Sequence, residues 1–221
     1  MKAPLLFPLL VLSSLLAVAA PPTLPTWVPR PERESCYFAP VNFRGDTQLA
    51  PDIHRVAFLP IHGGEVAAAE ITADLDPVLV TALQRQLRFE VVTVSREDCQ
   101  HLFGAGDFGS TAALPHGFLE KIAEKYAVDA VLFTDLTVFQ AYRPLSLGLR
   151  CKLAATRDVR LIWAFDEIFS SADVKMINSV RRHYKEGYRL APVDPTPSVL
   201  QSPTRFGAVA ADLMFRTLPP R

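Results

Sequence analysis

The spacing of apolar residues changes several times along this chain, and each change predicts an element. "RVAFLPI", residues 55–61, is a short unbroken apolar run bounded by His54 and by "HGG", which predicts a buried strand. A helix follows: Thr72 supplies its cap, Asp74 and Asp76 suit its positive end, and Pro77 sits early. Leu75, Leu79, Ala82, Leu83 and Leu87 recur at steps of three and four and form one apolar face. "FEVVTVS" predicts a second strand, and Ser95 caps a short helix, "REDCQHLF". Beyond a glycine-containing stretch, the helix "FLEKIAEKYAV" sets Phe118, Leu119, Ile122, Ala123 and Tyr126 on one side. It leads into a third strand, "VDAVLFTDLTVF", and such a crossover implies parallel pairing.

The rhythm then becomes strictly alternating. Leu145, Leu147, Leu149, Cys151 and Leu153 are apolar, while Ser146, Gly148, Arg150 and Lys152 between them are polar or small. That is a strand with one face in water. "TRDV" makes a turn, and "RLIWAFDEIF" returns with Leu161, Trp163 and Phe165 inward, completing an antiparallel meander. Two amphipathic helices close the chain. "ADVKMINSVRRHYKEGY" points Val174, Ile177, Val180 and Tyr184 to the core. "SPTRFGAVAADLMFRTL" is capped by Ser202 with Pro203 in its first position, and Gly207, Ala208 and Ala211 allow close packing. The predicted class is α/β, a mixed sheet in the order β-α-β-α-α-β-β-β-α-α with helices packed on it, and no internal repeat is visible.

Length and composition set the boundaries of this domain. With 221 residues, about half of them apolar, the chain has one good core. Residues 1–19, within "MKAPLLFPLLVLSSLLAVAA", read as a signal peptide: one cation, an apolar run, then Ala17 and Ala19 at an A-x-A cleavage site. Left uncleaved, the same run would associate with a membrane. Residues 20–54 read as a proline-rich tether or extended arm, because "PPTLPTWVPRPERES" cannot form a helix. Within it, "YFAPVNF" is aromatic enough to pack on the domain. Residues 55–218 form the single α/β domain.

The expected location is therefore periplasmic or secreted. Formal charge is balanced, so no global field gathers nucleic acid or acidic lipid. The three cysteines allow at most one internal disulfide. Cys151 belongs to the alternating strand, which leaves Cys36–Cys99 as the pair to consider. Cys36 comes sixteen residues after Ala20, and "RESC" lacks the small apolar residues of a lipid-transfer signal, so no lipobox is evident.

Candidate chemistry is sparse. Gly104, Gly106 and Gly109 match G-x-G-x-x-G, the spacing of a dinucleotide loop. That loop must follow a strand and open a helix. Here a helix precedes it and "STAALP" follows, so it reads as a flexible helix-to-helix loop and no cofactor is expected. Ser110 and His116 flank the same loop without a nucleophile motif. Cys99 and His101 point to different helix faces, and His54 and His62 lie at opposite ends of the first strand, so no metal site is expected. Asp129 and Asp135 bracket the third strand, and Asp166 and Glu167 are adjacent on a strand and face opposite ways. No catalytic set emerges. The basic run "RRHYKEGYR" is the candidate partner-binding surface: Arg181, Arg182, Tyr184, Lys185, Tyr188 and Arg189 suit an acidic envelope protein or an anionic envelope polymer.

Taken together, the motifs resemble a set of bacterial envelope proteins that share a small α/β domain: CsgG, LpoB (the penicillin-binding protein activator) and the TolB amino-terminal domain. The residues that carry the resemblance are Pro60 ending a strand, Phe89 to Val92, Ala123 to Leu132, and Ile162-Trp163 ending a hairpin. It spans roughly residues 55 to 170. It implies a non-enzymatic protein that binds partners or assembles in the envelope. Two alternatives remain beside that expectation. One is an exported hydrolase with a pocket holding two or more of His116, Asp129, Asp135 and Asp166. The other is a self-assembling structural subunit with an exposed apolar patch or sheet edge.

Overall fold

A computed structural model describes residues 36–187 and 194–221. The signal-peptide and cleavage expectations, and the arm up to residue 35, lie outside the described residues. The strands are β1 (Phe43–Gly45), β2 (Arg55–Phe58), β3 (Glu90–Thr93), β4 (Ala130–Gln140), β5 (Ser146–Ala155) and β6 (Leu161–Ser170). The helices are α1 (Ala69–Gln84), α2 (Arg96–Phe103), α3 (Phe118–Tyr126), α4 (Val174–Gly187), α5 (Thr196–Val199) and α6 (Pro203–Phe215). All six strands join one mixed sheet in the order β1-β6-β5-β4-β2-β3. Strands β3, β2 and β4 run parallel, and β4, β5, β6 and β1 are antiparallel. The α/β class and the meander expected above are present.

The helix faces follow from the order of the parallel strands. From β2 the chain moves outward to β3 through α1, then back past β2 to β4 through α2 and α3. Crossovers that keep one hand must place helices on opposite faces when the direction reverses. Two core clusters result. On one face α1, α4, α5 and α6 cover the inward side chains of the whole sheet, including Leu147, Leu149, Leu153, Trp163, Phe165 and Phe169. On the other, α2 and α3 bury Ala57, Leu59, Val131 and Phe133 beneath Cys99, Phe118 and Ile122.

Several local expectations need correction. Residues 43–45, assigned above to the extended arm, are an edge strand paired with β6. α1 begins at Ala69, so Thr72 is no cap: its hydroxyl donates to the Ala69 carbonyl and accepts from Arg96. Pro77 thereby falls inside the helix. Leu87 lies beyond the helix end with φ of 53° and is exposed. A register shift at Leu153/Ala154 turns Leu161 outward, and Ile162 is buried instead. In α4, Val174 is exposed, and the inward face is carried by Met176 and Val180. α5 was not expected at all. All three cysteines are free, and Cys36–Cys99 cannot pair. Cys36 lies beside α4 on one face of the sheet, where its carbonyl accepts from Asn178, whereas Cys99 is buried under the opposite face.

Candidate functional site

The second face of the sheet is only half covered. α2 and α3 shield β3, β2 and β4, but no described helix lies over β5, β6 and β1 there. Cross-strand register shows which side chains share this open half. Arg44 lies opposite Ala164, which lies opposite Lys152, which lies opposite Phe133. In the next row Asp166 faces Arg150, which faces Asp135. Directly opposed residues in an antiparallel sheet point the same way, so Arg44, Arg150 and Lys152 project together. Between them a shallow cavity of about 250 Å³ is lined by Asn42, Arg44, Thr111, Arg150, Lys152 and Asp166 among others. Arg150 pairs with Asp166 at 2.8 Å. Lys152 donates to the Ser110 carbonyl at 2.8 Å, and neither it nor Arg44 has a carboxylate partner among the described residues. Further along β5, Gly148 leaves no room for a side chain: a Cβ there would sit 2.5 Å from Thr137 Oγ1 and 2.9 Å from Val138 Cβ, where β4 bulges toward it.

The glycine stretch borders this open half. Gly104 ends α2 with φ of 81°, and α3 begins at Phe118, so helices lie on both sides of the loop. Its flexibility is not supported: the loop is anchored at three points. Phe108 packs against Phe103 and Phe118. Ser110 clamps Asp135, its backbone N–H donating to Oδ1 at 2.7 Å and its hydroxyl to Oδ2 at 2.5 Å. Asp107 accepts from Arg96 at 2.8 Å and sits 2.6 Å from His62 Nδ1. Arg96 is the hub of this network. Its other terminal nitrogen donates to the Ile61 carbonyl, Thr72 and Asp76, all at 3.0 Å. Burial pushes the Asp76 carboxyl above its ordinary value, against the opposing pull of the Ile61 N–H and Arg96. Gly109 makes room for the His62 ring, which would lie 3.0 Å from a Cβ at that position.

The other sequence candidates are dispersed. Asp129 clamps the start of β2, accepting from the backbone N–H groups of His54 and Arg55, both at 2.9 Å. It also lines a cavity of about 640 Å³, near Phe118, Thr156 and Arg160. His116 is exposed and lines neither this cavity nor the smaller one at Asp166. Neither cavity holds two of His116, Asp129, Asp135 and Asp166. No group of three or more histidines, cysteines and carboxylates suits a metal among the described residues, and no described helix is long and apolar enough to cross a membrane.

The basic run on α4 divides. Arg181 is exposed, Arg182 lies 5.0 Å over the Tyr37 ring, and Tyr184 is half-buried against the core. Lys185 is described only through the helix backbone, and Tyr188 and Arg189 lie outside the described residues. Arg182 and His183 line a groove of about 400 Å³ with Tyr37, Pro40, Phe43 and Asp212. Burial pushes the Asp212 carboxyl up, but His183 at 3.4 Å and Arg216 at 2.7 Å outweigh it and hold the group below its ordinary value.

The sequence signal missed here was nonlocal. Arg150 and Lys152 were visible as the wet side of a strand, but nothing local joins Arg44 to them across β6.

No protein-family model matches the sequence, and no curated protein matches it. Among solved structures, lipoprotein GNA1162 from Neisseria meningitidis is similar at 12% identity, with 63% of this chain and 99% of that one covered and a TM-score of 0.42. A PelC dodecamer from Paraburkholderia phytofirmans gives 12%, 78%, 96% and 0.43 in the same order. The LpoB C-terminal domain from Salmonella enterica gives 16%, 54%, 87% and 0.35.

Proposed function

We propose that this protein is an exported accessory domain of the bacterial cell envelope that acts by binding another envelope component, without catalysis of its own. The leader-like residues 1–19 and the motif pattern from Pro60 to Trp163 support the location. The observation that carries the reading is the half-open sheet. Arg44, Arg150 and Lys152 project from a rigid, fully cored platform, and the anchored loop at Ser110 frames them. A partner docking there meets Arg150 and Lys152 already held by Asp166 and the Ser110 carbonyl, and spends little entropy on ordering those two.

Photo-crosslinking in cells tests this. A photoreactive residue at Ile168, on the open half, should give a discrete higher-mass adduct with an envelope component. The same residue at exposed Leu87, near the opposite edge, should give none. Equal patterns from both positions, or no adduct from Ile168, would defeat the proposal.

A further inference from the structure

At β1 the sheet ends on exposed backbone. The Asn42 carbonyl accepts from the Asp166 N–H, and the Asp46 N–H donates to the Ile162 carbonyl, each at 3.0 Å. Arg44 lies between them, opposite Ala164. Hydrogen-bonding positions alternate along an antiparallel edge, so the N–H and C=O groups of Phe43 and Gly45 point away from β6. No described strand takes them, and residues 41–45 are exposed throughout. Such an edge is a template for another strand.

The side chains around this edge select the chemistry of that strand. Arg44 lies on the open half of the sheet in register with Lys152, and neither has a carboxylate partner among the described residues. Thr111 also lines the shallow cavity between them. Phe43, on the opposite face, is 45% exposed and borders the groove formed with Tyr37 and Pro40. The edge therefore offers a cation, Arg44, on one face and an aromatic ring, Phe43, on the other, in consecutive residues, with Lys152 two strands further in.

We infer that the outer edge of β1 takes an extended acidic segment of a partner protein as an added strand, with one of its carboxylates paired to Arg44. This rests on the partner-binding reading above and names the partner's chemistry. A residue directly opposite Arg44 on an added strand has its Cβ about 4.5–5.5 Å away, within reach of a charge pair. The residues on either side of it turn toward Phe43, so the preferred segment alternates acidic and apolar positions. Main-chain bonds supply attraction, and the alternating side chains supply selectivity.

The test titrates the ¹⁵N-labelled chain, recovered after export, with a blocked (Glu-Val)₄ peptide. Parallel arms use (Lys-Val)₄ and polygalacturonate. The acidic peptide should shift the amides of Phe43 and Gly45 and slow their exchange with solvent. Its affinity should fall at least tenfold in Arg44→Glu. Phe43→Pro, which removes one outward N–H at an edge position where proline is tolerated, should produce a similar loss. Arg85→Glu, near the opposite edge, should change the affinity less than twofold. No binding, binding indifferent to Arg44→Glu, or shifts confined to β3 would overturn the inference. So would polygalacturonate acting through Arg44 when the peptide does not. A crosslink from Ile168 combined with no peptide binding would leave the accessory-domain reading standing and remove only this one.

Discussion

The parallel and antiparallel halves of the sheet differ in how many faces they hide. Strands β2 and β4 are buried on both faces, and Val56, Ala57, Phe58, Val131 and Leu132 are all core residues. Strand β5 alternates, with Leu147, Leu149, Cys151 and Leu153 buried and Arg150 and Lys152 half-buried between them. A strand covered twice must be apolar at nearly every position. A strand covered once keeps every second position for polar groups. The parallel half is thus committed to stability, and the antiparallel half retains the surface on which selectivity can be built.

Paired substitutions at neighbouring residues give the largest test of this contrast. In β4, Leu132→Ala and Phe133→Ala remove adjacent side chains from opposite cores and should each cost about 2–5 kcal/mol. In β6 only one neighbour should matter. Phe169→Ala should cost about 3–5 kcal/mol, while Ile168→Ala, at 54% exposure, should stay within about 0.5 kcal/mol. Urea denaturation of the four variants checks the pattern, and a costly Ile168→Ala would mean that the open half is covered.

Next in size is Arg96→Ala. It strips Asp76 and Asp107 of their cation and releases the glycine loop from α1, for an expected loss of about 2–4 kcal/mol. Faster amide exchange across residues 104–112 should accompany it. Gly148→Ala comes third, at about 1–3 kcal/mol, because its Cβ meets backbone and a β-branched side chain in the β4 bulge. The smallest effect is on pH dependence. Asp212 has a folded value below its ordinary one, so its stabilisation is complete above the ordinary value and is lost as pH falls through the lower one. Asp212→Asn should flatten that part of the acid limb in a stability-versus-pH series, while the wild type stays steep.

The elements most readily read from sequence were those whose signal is local. Ser95 and Ser202 cap the helices they were expected to cap, accepting from Asp98 and Arg205 backbone N–H groups. The alternation in β5 gave its inward residues correctly. Failures came where distant chain decides. Leu161 lost its inward position to a bulge across the β5–β6 pair, which moved Ile162 into the core. Thr72 looked like a cap because nothing local reveals that Arg96 and Ala69 claim its hydroxyl. Val174 carries the right spacing for α4 but lies at its exposed first turn, where Met176 and Val180 set the packing phase. The site was legible only in part for the same reason: Arg150 and Lys152 belong to one periodic run, whereas Arg44 reaches them through a strand more than a hundred residues later in the chain.

The separation of the cysteines has a practical use. Burial pushes the Cys99 thiol up to about 11 and the Cys151 thiol to about 12, while Cys36 is exposed. Thiolates at the two buried positions are scarce at neutral pH, and the surrounding core blocks reagents as well. A maleimide should therefore add once to each native molecule and three times once the chain opens. Mass spectrometry can count those additions, giving every variant above a label-based gauge of unfolding without an engineered probe.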